Sequence, residues 1–344
     1  MGMTSRERVV RALEFSKPDR VPRHLWRLPG VKMYRQEEVD AVLAKYPEDI
    51  TRLEFEYGRG KRTRGARYRR DEIAADEWGC EWHVAEDGIT GEVKEPPLKY
   101  ISEVNNLTVP YEVLERTDFS KVNQMCAQMH TFTLGWTTVR PFERMQFLFG
   151  TEKLFIELSY GSKEIRRLRD IVHEFFMEEL KRWIETDVDG LSFMDDWGHQ
   201  RGLLISPEMW RDLFKPLYKD YCDLIHSKNK YAFFHSDGCI EQIYPGLIEV
   251  GVDAINSQLF CMDIEDIGRR YKGKITFWGE IDRQHVLSFG TKEEVAEAVT
   301  RVKNALWAPQ GGVIAQCEFG LKDPIENIET VFETWESIVQ TFNL

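Results

Sequence analysis

Residues of four chemical types follow a single apolar segment in the second half of the chain. Residues 231–239 read YAFFHSDGC, so an apolar run continues directly into a histidine, a carboxylate, a glycine and a thiol. This pattern predicts a buried strand that delivers polar side chains at its C-terminal end. His235 and Asp237 are two residues apart, and their side chains can converge where the chain turns at Gly238. Cys317 closes another strand-like run, and we expect it to face the same region.

The combination of imidazole, carboxylate and thiolate favours Zn²⁺. His235, Asp237 and Cys317 would leave a fourth position for a substrate sulfur or oxygen, and a zinc-bound thiol loses its proton near neutral pH. The residue that completes the set stays open between Asp237, Cys239, Gln258 and Glu280. The alternative is that His235 only hydrogen-bonds in the interior and that Cys317 is an ordinary buried thiol.

Further candidates for chemistry end the other strand-like runs. Asp195 and Asp196 are adjacent, so only one of them faces the site; Asp196 would orient a substrate group, or the pair would cap a turn. We predict catalytic roles for Asp196, Glu280 and Arg27. We predict substrate contacts for Trp136, Asp195, His199 and Gln258, although core packing and surface roles are the common uses of such residues.

Eight strand-like runs alternate with helical segments along the chain. They end near Arg27, Glu56, Trp136, Asp196, Asp237, Gln258, Glu280 and Glu318. Eight parallel βα units predict an α/β TIM barrel, in which chemistry lies at the C-terminal ends of the strands. We expect residues 1–344 to form one such unit, with an N-terminal helical extension. Residues 57–110 would form an insertion after strand two, with a basic loop and a β-hairpin.

Bulk charge excludes several classes of partner. The formal net charge is -12, which would repel nucleic acids and anionic membranes. No apolar run approaches the roughly 20 residues of a membrane span, and the start lacks the apolar core of a secretion signal. We therefore expect a cytoplasmic protein. The six cysteines form no CxxC pair, so no disulfide framework is indicated.

One segment runs against this acidic background. Residues 59–70 contain seven Lys or Arg among twelve residues. The simple interpretation is a solvated loop. The functional interpretation is a surface for an anionic substrate tail or an acidic partner protein.

Several motifs together resemble the uroporphyrinogen decarboxylase superfamily. They are MTSRERV through PDRVP at 3–22, DDWG at 195–198, HSDG at 235–238, GVD at 251–253, WGEID at 278–282 and PIEN at 324–327. The resemblance runs almost end to end and implies a TIM barrel. The superfamily has a decarboxylase branch and a branch of methyltransferases that pass methyl groups between corrinoid proteins and a thiol, folate or methoxylated substrate.

The chain departs from the decarboxylase branch at two motifs. Those enzymes carry a motif like Arg-Gln-Ala-Gly-Arg, whereas residues 27–31 read RLPGV and keep only the first arginine, Arg27. They also carry Gly-His-Gly near the C-terminus, where residues 318–320 read EFG. Loss of these charged contacts would weaken the grip on a polycarboxylate.

The methyltransferase branch is the better match. Its zinc ligands are His-x-Cys after one strand and Cys after the last, so the resemblance implies His235 and Cys317 as ligands, with Asp237 in place of the middle cysteine. The chain has no corrinoid-binding Asp-x-His-x-x-Gly motif, so the corrinoid would arrive on a separate protein, which the basic segment 59–70 could dock. Two alternatives stay open: a decarboxylase on a smaller carboxylate, using Arg27 and Asp196, and a non-catalytic tetrapyrrole or corrinoid binder.

Overall fold

The computed structural model of the chain describes residues 2–70 and 72–340, with side chains up to residue 337. Eight parallel strands form its central sheet, in the order β1-β8-β7-β6-β5-β4-β3-β2. In chain order they are β1 Arg23–Arg27, β2 Ile50–Arg52, β3 Phe132–Trp136, β4 Gly190–Met194, β5 Tyr231–Ser236, β6 Ala254–Ser257, β7 Thr276–Trp278 and β8 Val313–Phe319. The predicted TIM barrel is therefore confirmed. The second strand ends at Arg52, earlier than predicted.

Side chains close the seam between β1 and β2. The Asp49 backbone N–H donates to the carbonyl of Arg23 (2.9 Å), and the Asp49 carboxylate accepts from the Arg23 N–H (2.8 Å). Glu48 accepts from the Leu25 N–H in the same way, at 2.8 Å. Two carboxylates thus replace part of a strand ladder at this edge.

Apolar side chains fill the barrel interior, and a helix covers its N-terminal end. Ile50, Phe132, Leu134, Phe233, Ala254, Trp278 and Ile314 form one buried cluster with Val9 and Leu13 of the first helix. That helix, Ser5–Leu13, begins with a capping box between Thr4 and Glu7. Its burial fixes the polar ends of the strands as the open mouth of the barrel.

The remaining helices surround the barrel or lie in its connections. They are Pro29–Tyr34, Gln36–Lys45, Tyr111–Arg116, Ser120–Cys126, Pro141–Phe149, Thr151–Tyr160, Lys163–Trp183, Pro207–Leu213, Lys215–His226, Tyr244–Val250, Ile264–Tyr271, Val286–Phe289, Lys292–Leu306 and Ile325–Gln340, with 3₁₀ turns at Ile101–Asn106, Glu241–Ile243 and Leu259–Cys261. Among the described residues, no helix combines the length and apolar character that a bilayer crossing requires.

The insertion between β2 and β3 contains a small antiparallel sheet. Its strands are Ile73–Ala75, Glu81–His83 and Glu92–Glu95, so the predicted hairpin gains a third strand. Trp82 packs against Phe147 of a barrel helix, with ring centroids 4.8 Å apart. The buried ion pair between Arg144 and Asp76 (2.5 Å) joins the same two parts. The insertion is therefore anchored beside the barrel mouth.

Candidate functional site

The loops after β4 and β5 are joined by their backbones. The Gly198 N–H donates to the Asp237 carbonyl (3.1 Å), and the Cys239 N–H donates to the His199 carbonyl (2.9 Å). Gly238 has a φ of +81°, and a Cβ atom there would lie 2.1 Å from the carbonyl carbon of Gly198. Only glycine permits this approach. The two loops are thereby held in contact.

This contact brings one histidine and two carboxylates together at the barrel mouth. His235 Nε2 lies 3.7 Å from Asp196 Oδ1 and 3.5 Å from Asp237 Oδ1. One ligand atom from each of the three residues lies within 4.8 Å of the other two. The Asp237 N–H also donates to Asp196 Oδ1, at 2.9 Å. We call Asp196, His235 and Asp237 the mouth triad.

The geometry of the mouth triad fits a divalent metal ion. Two donors about 2.1 Å from one tetrahedral ion lie about 3.4 Å apart, close to the observed separations. His235 Nδ1 is 2.6 Å from Asn256 Oδ1, which leaves Nε2 directed at the carboxylates. A hydrogen bond on the far ring nitrogen is typical of metal-binding histidines.

Arg283 links the triad to two further carboxylates. Its guanidinium contacts Asp237 Oδ1 and donates to both oxygens of Glu318, at 3.0 and 3.1 Å. Burial favours a raised pKa for Asp237, but the charges of His235 and Arg283 outweigh it and hold the pKa below its ordinary value. Arg283 therefore keeps Asp237 ionised.

Glu280, predicted to be catalytic, lies beside this group. Its carboxylate is 4.0 Å from Arg283 Nε and is buried. Burial raises its pKa well above the ordinary value, although Arg283 opposes the shift. Burial therefore favours the protonated form of Glu280.

Cys317, which the sequence predicts as a metal ligand, is not part of the mouth triad. Side chains alternate along β8: Gln316 and Glu318 face the interior, where they contact Asn256 and Arg283. Cys317 faces the other way and is buried in the core cluster between the barrel and its helices. Asp196 supplies the third donor instead.

Arg27 and Trp136 have separate surroundings. Arg27 pairs with Glu48 (3.3 Å), and none of its described contacts is with the mouth triad. Trp136 packs edge-on against Trp26 with ring centroids 5.3 Å apart, and Trp26 in turn lies 5.2 Å from the His235 ring. Trp136 therefore belongs to an aromatic wall next to the triad.

The other predicted substrate residues have structural contacts. Asp195 is buried and accepts hydrogen bonds from the Phe142 and Glu143 N–H groups (2.9 and 2.8 Å) and from the Tyr218 hydroxyl (2.6 Å). Burial raises its pKa to about 7. His199 is exposed on a short β-ribbon, Gly198–His199 with Gly202–Leu203.

Gln258 and Cys239 lie close to the triad without joining it. Gln258 accepts a hydrogen bond from the Gly238 N–H at 2.9 Å, so it holds the loop that carries Asp237. Cys239 follows that loop and is half-buried. Among the described residues, the group that could hold a metal ion is the mouth triad, and it includes neither Gln258 nor Cys239.

Part of the positive charge of the basic segment 59–70 is neutralised by ion pairs within the insertion. Arg64 pairs with Glu81, Arg69 pairs with Asp87 (3.3 Å), and Arg62 donates to the Thr108 carbonyl. These contacts fold the insertion on itself, so they reduce the positive charge that the segment presents to a partner.

Sequence reasoning missed two residues of the site. Arg283 comes three residues after Glu280 in a loop, and no periodic pattern marks it. Glu143 lies in the first turn of the helix Pro141–Phe149, and its Oε2 is buried without a hydrogen-bond partner among the described residues. Burial raises its pKa to about 8, and the charges of Asp196, Asp195 and Asp237 add to the shift while Arg140 opposes it. The motif Arg140-Pro141 was the available signal for that helix start.

Comparisons with known proteins agree with this architecture. A structure described as a methyltransferase from Methanosarcina mazei is 14% identical, with 98% of this chain and 99% of that chain covered and a TM-score of 0.72. An endo-beta-1,4-xylanase from Gloeophyllum trabeum is 10% identical, with 93% and 98% covered and a TM-score of 0.47. At 14% identity, the likeness to the methyltransferase structure concerns the fold alone.

The sequence comparisons give a family. A search of curated proteins finds no match to this chain. The family model for uroporphyrinogen decarboxylase (URO-D), in contrast, matches residues 4–338. This match spans the barrel, the insertion and the mouth triad, and the chain belongs to the uroporphyrinogen decarboxylase family.

Proposed function

We propose that the protein is a zinc-dependent methyltransferase. It would move a methyl group between a small methylated or methoxylated substrate, or a thiol or folate acceptor, and a corrinoid carried by a separate protein. The observation that supports this proposal is the mouth triad: one imidazole and two carboxylates converge at the end of the barrel where TIM-barrel chemistry occurs. The expected thiolate is replaced by Asp196.

Asp196, His235 and Asp237 would hold the ion. A Zn²⁺ bound there would act as a Lewis acid on an acceptor thiol or on the ether oxygen of a methoxylated donor. Nitrogen and oxygen donors also suit other first-row metals, so the metal content of the purified protein is itself informative.

The surrounding residues would prepare the site. Asn256 orients the imidazole of His235, and Arg283 fixes the Asp237 carboxylate. Trp26 covers the His235 ring and excludes water from that side. Glu143 would supply a proton to a leaving oxygen, because its raised pKa keeps it protonated at neutral pH. The charges of Asp196 and Asp237 contribute to this raised pKa.

The second candidate is a metal-free lyase that acts on a small carboxylate. The contact between Arg283 and Asp237 favours it, since the guanidinium already neutralises one carboxylate of the triad. This candidate requires activity without metal, whereas the methyltransferase requires bound metal.

Metal analysis of the purified protein tests the proposal. We expect about one zinc per chain in the wild type, loss of that zinc in His235→Ala and Asp237→Asn, and retention in Cys317→Ala. The Cys317 variant is the matched control, because its thiol lies near the C-terminal end of β8, at the same end of the barrel as the triad, but faces the helices. Stoichiometric metal in His235→Ala, or a wild type that binds no metal, would contradict the proposal.

Methyl transfer itself is followed by spectroscopy. The protein is mixed with cob(I)alamin and a panel of methoxylated, methylthiol and methylamine compounds, and the absorbance of methylcobalamin is recorded. We expect formation with at least one donor in the wild type and none in His235→Ala. Carbon dioxide release without metal would support the lyase instead.

A further inference from the structure

A cavity of about 480 Å³ lies between the barrel mouth and the insertion. Its barrel side is formed in part by Arg52, Trp136 and Arg140. Its insertion side includes Arg59, Arg67 and Tyr68. Cavities of this size hold small molecules rather than macromolecules.

The cavity carries an excess of positive charge. Arg144 pairs with Asp76 (2.5 Å), and Arg140 lies 3.5 Å from Glu143. Arg52, Arg59 and Arg67, in contrast, have no carboxylate partner among the residues that the structure describes; these three are the unpaired arginines.

The closest contacts of the unpaired arginines are with aromatic rings and a backbone carbonyl. The Arg52 guanidinium lies over the Trp136 ring at 3.9 Å, and that of Arg67 lies over Tyr68 (5.4 Å) and Trp82 (5.2 Å). Arg59 donates to the carbonyl of Thr63 at 3.3 Å. Glu77 also lines the cavity, but it pairs with Arg144 at 3.5 Å. In a chain of net charge -12, the three unpaired guanidinium groups therefore mark a place for a negative ligand.

Side chains that line the cavity also contact residues next to the mouth triad. Trp136 lines the cavity and packs against Trp26, which contacts the His235 ring. Arg140 lines it as well and reaches Glu143, whose carboxyl feels the charges of Asp196 and Asp237. The cavity therefore lies next to the surroundings of the triad.

We propose that this cavity binds the oxyanion group of the substrate: a carboxylate, phosphate or sulfonate joined to a flat or apolar body. Arg52, Arg59 and Arg67 donate to its oxygens, and Trp136 and Tyr68 cover its apolar part. That the bound group belongs to the substrate rests on the proposed function. The recognition of an oxyanion follows from the cavity alone.

Direct binding of simple probes tests this proposal. Benzoate, phenyl phosphate and benzenesulfonate are titrated into metal-free wild type by calorimetry, and benzyl alcohol serves as the neutral probe. We expect at least one anion to bind and the neutral probe to bind at least about tenfold more weakly. The order among the three anions identifies the oxyanion.

Variants locate the binding. Arg52→Gln combined with Arg67→Gln is expected to weaken anion binding about tenfold or more. Arg64→Gln combined with Arg69→Gln is the matched control, since these two arginines already pair with Glu81 and Asp87. Arg59→Gln, on an exposed residue, gives a second variant if the first pair unfolds.

Two results would overturn the proposal: no binding of any anion to the wild type, or an equal loss in the control pair. Neither depends on zinc or on methyl transfer. If the wild type binds anions but takes up no zinc, the proposed function is contradicted and the oxyanion site stands.

Discussion

Asn256 Oδ1 accepts a hydrogen bond from His235 Nδ1 across 2.6 Å, and this contact fixes the tautomer of the histidine. The direction follows from the amide: Asn256 Nδ2 donates to the Trp278 carbonyl (2.5 Å) and to Gln316 Oε1 (3.0 Å). Its oxygen is therefore the acceptor, so Nδ1 carries the proton. With a metal ion bound between Asp196 and Asp237, Nε2 would present its lone pair to that ion.

Removal of the Asn256 amide should weaken metal binding. In Asn256→Leu, His235 loses the partner that orients it, and we expect zinc affinity to fall about 10–100-fold. Competition with a chelating dye measures the affinity. Asn327→Leu is the control, because Asn327 is equally buried and donates to the Leu287 and Gly290 carbonyls, far along the chain from the triad. Equal loss in both variants would contradict the assigned role.

The placement of Cys317 predicts the order of thiol labelling. Cys239 and Cys261 are half-buried, whereas Cys80, Cys126, Cys222 and Cys317 are buried. Burial also raises the pKa of the Cys317 thiol well above its ordinary value, so little thiolate is present. We expect iodoacetamide to modify Cys239 and Cys261 first, with Cys317 protected until the protein unfolds. Mass spectrometry of tryptic peptides measures the order. Early labelling of Cys317 would contradict its burial between β8 and the helices.

Glu143 should make stability depend on pH. Its pKa is raised from 4.5 to about 8, so between these values the folded protein holds a proton that the unfolded chain has released. The contribution is fully present below pH 4.5 and is lost as the pH rises through about 8. In metal-free protein, the Tm of Glu143→Gln relative to wild type should therefore increase between about pH 5 and about pH 9. A constant difference across this range would show that Glu143 ionises normally.

The seam between β1 and β2 should be sensitive to one charge. Asp49 is buried and accepts from Arg8 Nη1 and Arg20 Nη1, both at 2.6 Å, and from the Arg23 N–H. Asp49→Asn removes the carboxylate partner of Arg20 and one of the two carboxylate partners of Arg8, and we expect a loss of about 3–5 kcal/mol in the free energy of unfolding. Asp19→Asn, which changes an exposed partner of Arg8, should cost about 1 kcal/mol or less. Urea denaturation measures both, and similar costs would contradict the role of burial.

The sequence predicted the barrel because apolar runs and helix caps are local signals. Each of the eight strands ends within about four residues of a predicted strand end, and the strand end that carries His235 and Asp237 lies where the pattern placed it. The facing of Cys317 was not predictable from the same pattern. Every second residue of β8 faces inward, and a shift by one position exchanges Gln316 for Cys317.

The contacts between loops also lie beyond local patterns. Asp196 joins His235 because Gly198 and Gly238 allow two backbones to touch, and nothing in either segment alone indicates its partner. Arg283 gains its role from the carboxylates of Asp237 and Glu318, which come from other loops. The unpaired arginines are recognised only because the described residues place no carboxylate partner against them. Long-range charge balance of this kind requires the folded structure.

The division of the mouth between two stretches of chain has an evolutionary consequence. The triad hangs from the ends of β4 and β5, whereas Arg59 and Arg67 come from the insertion after β2. Mutation, deletion or exchange of that insertion would alter which compound is admitted and leave the reacting groups in place. Relatives that share this scaffold can thus change their substrate specificity while the residues of the triad stay the same.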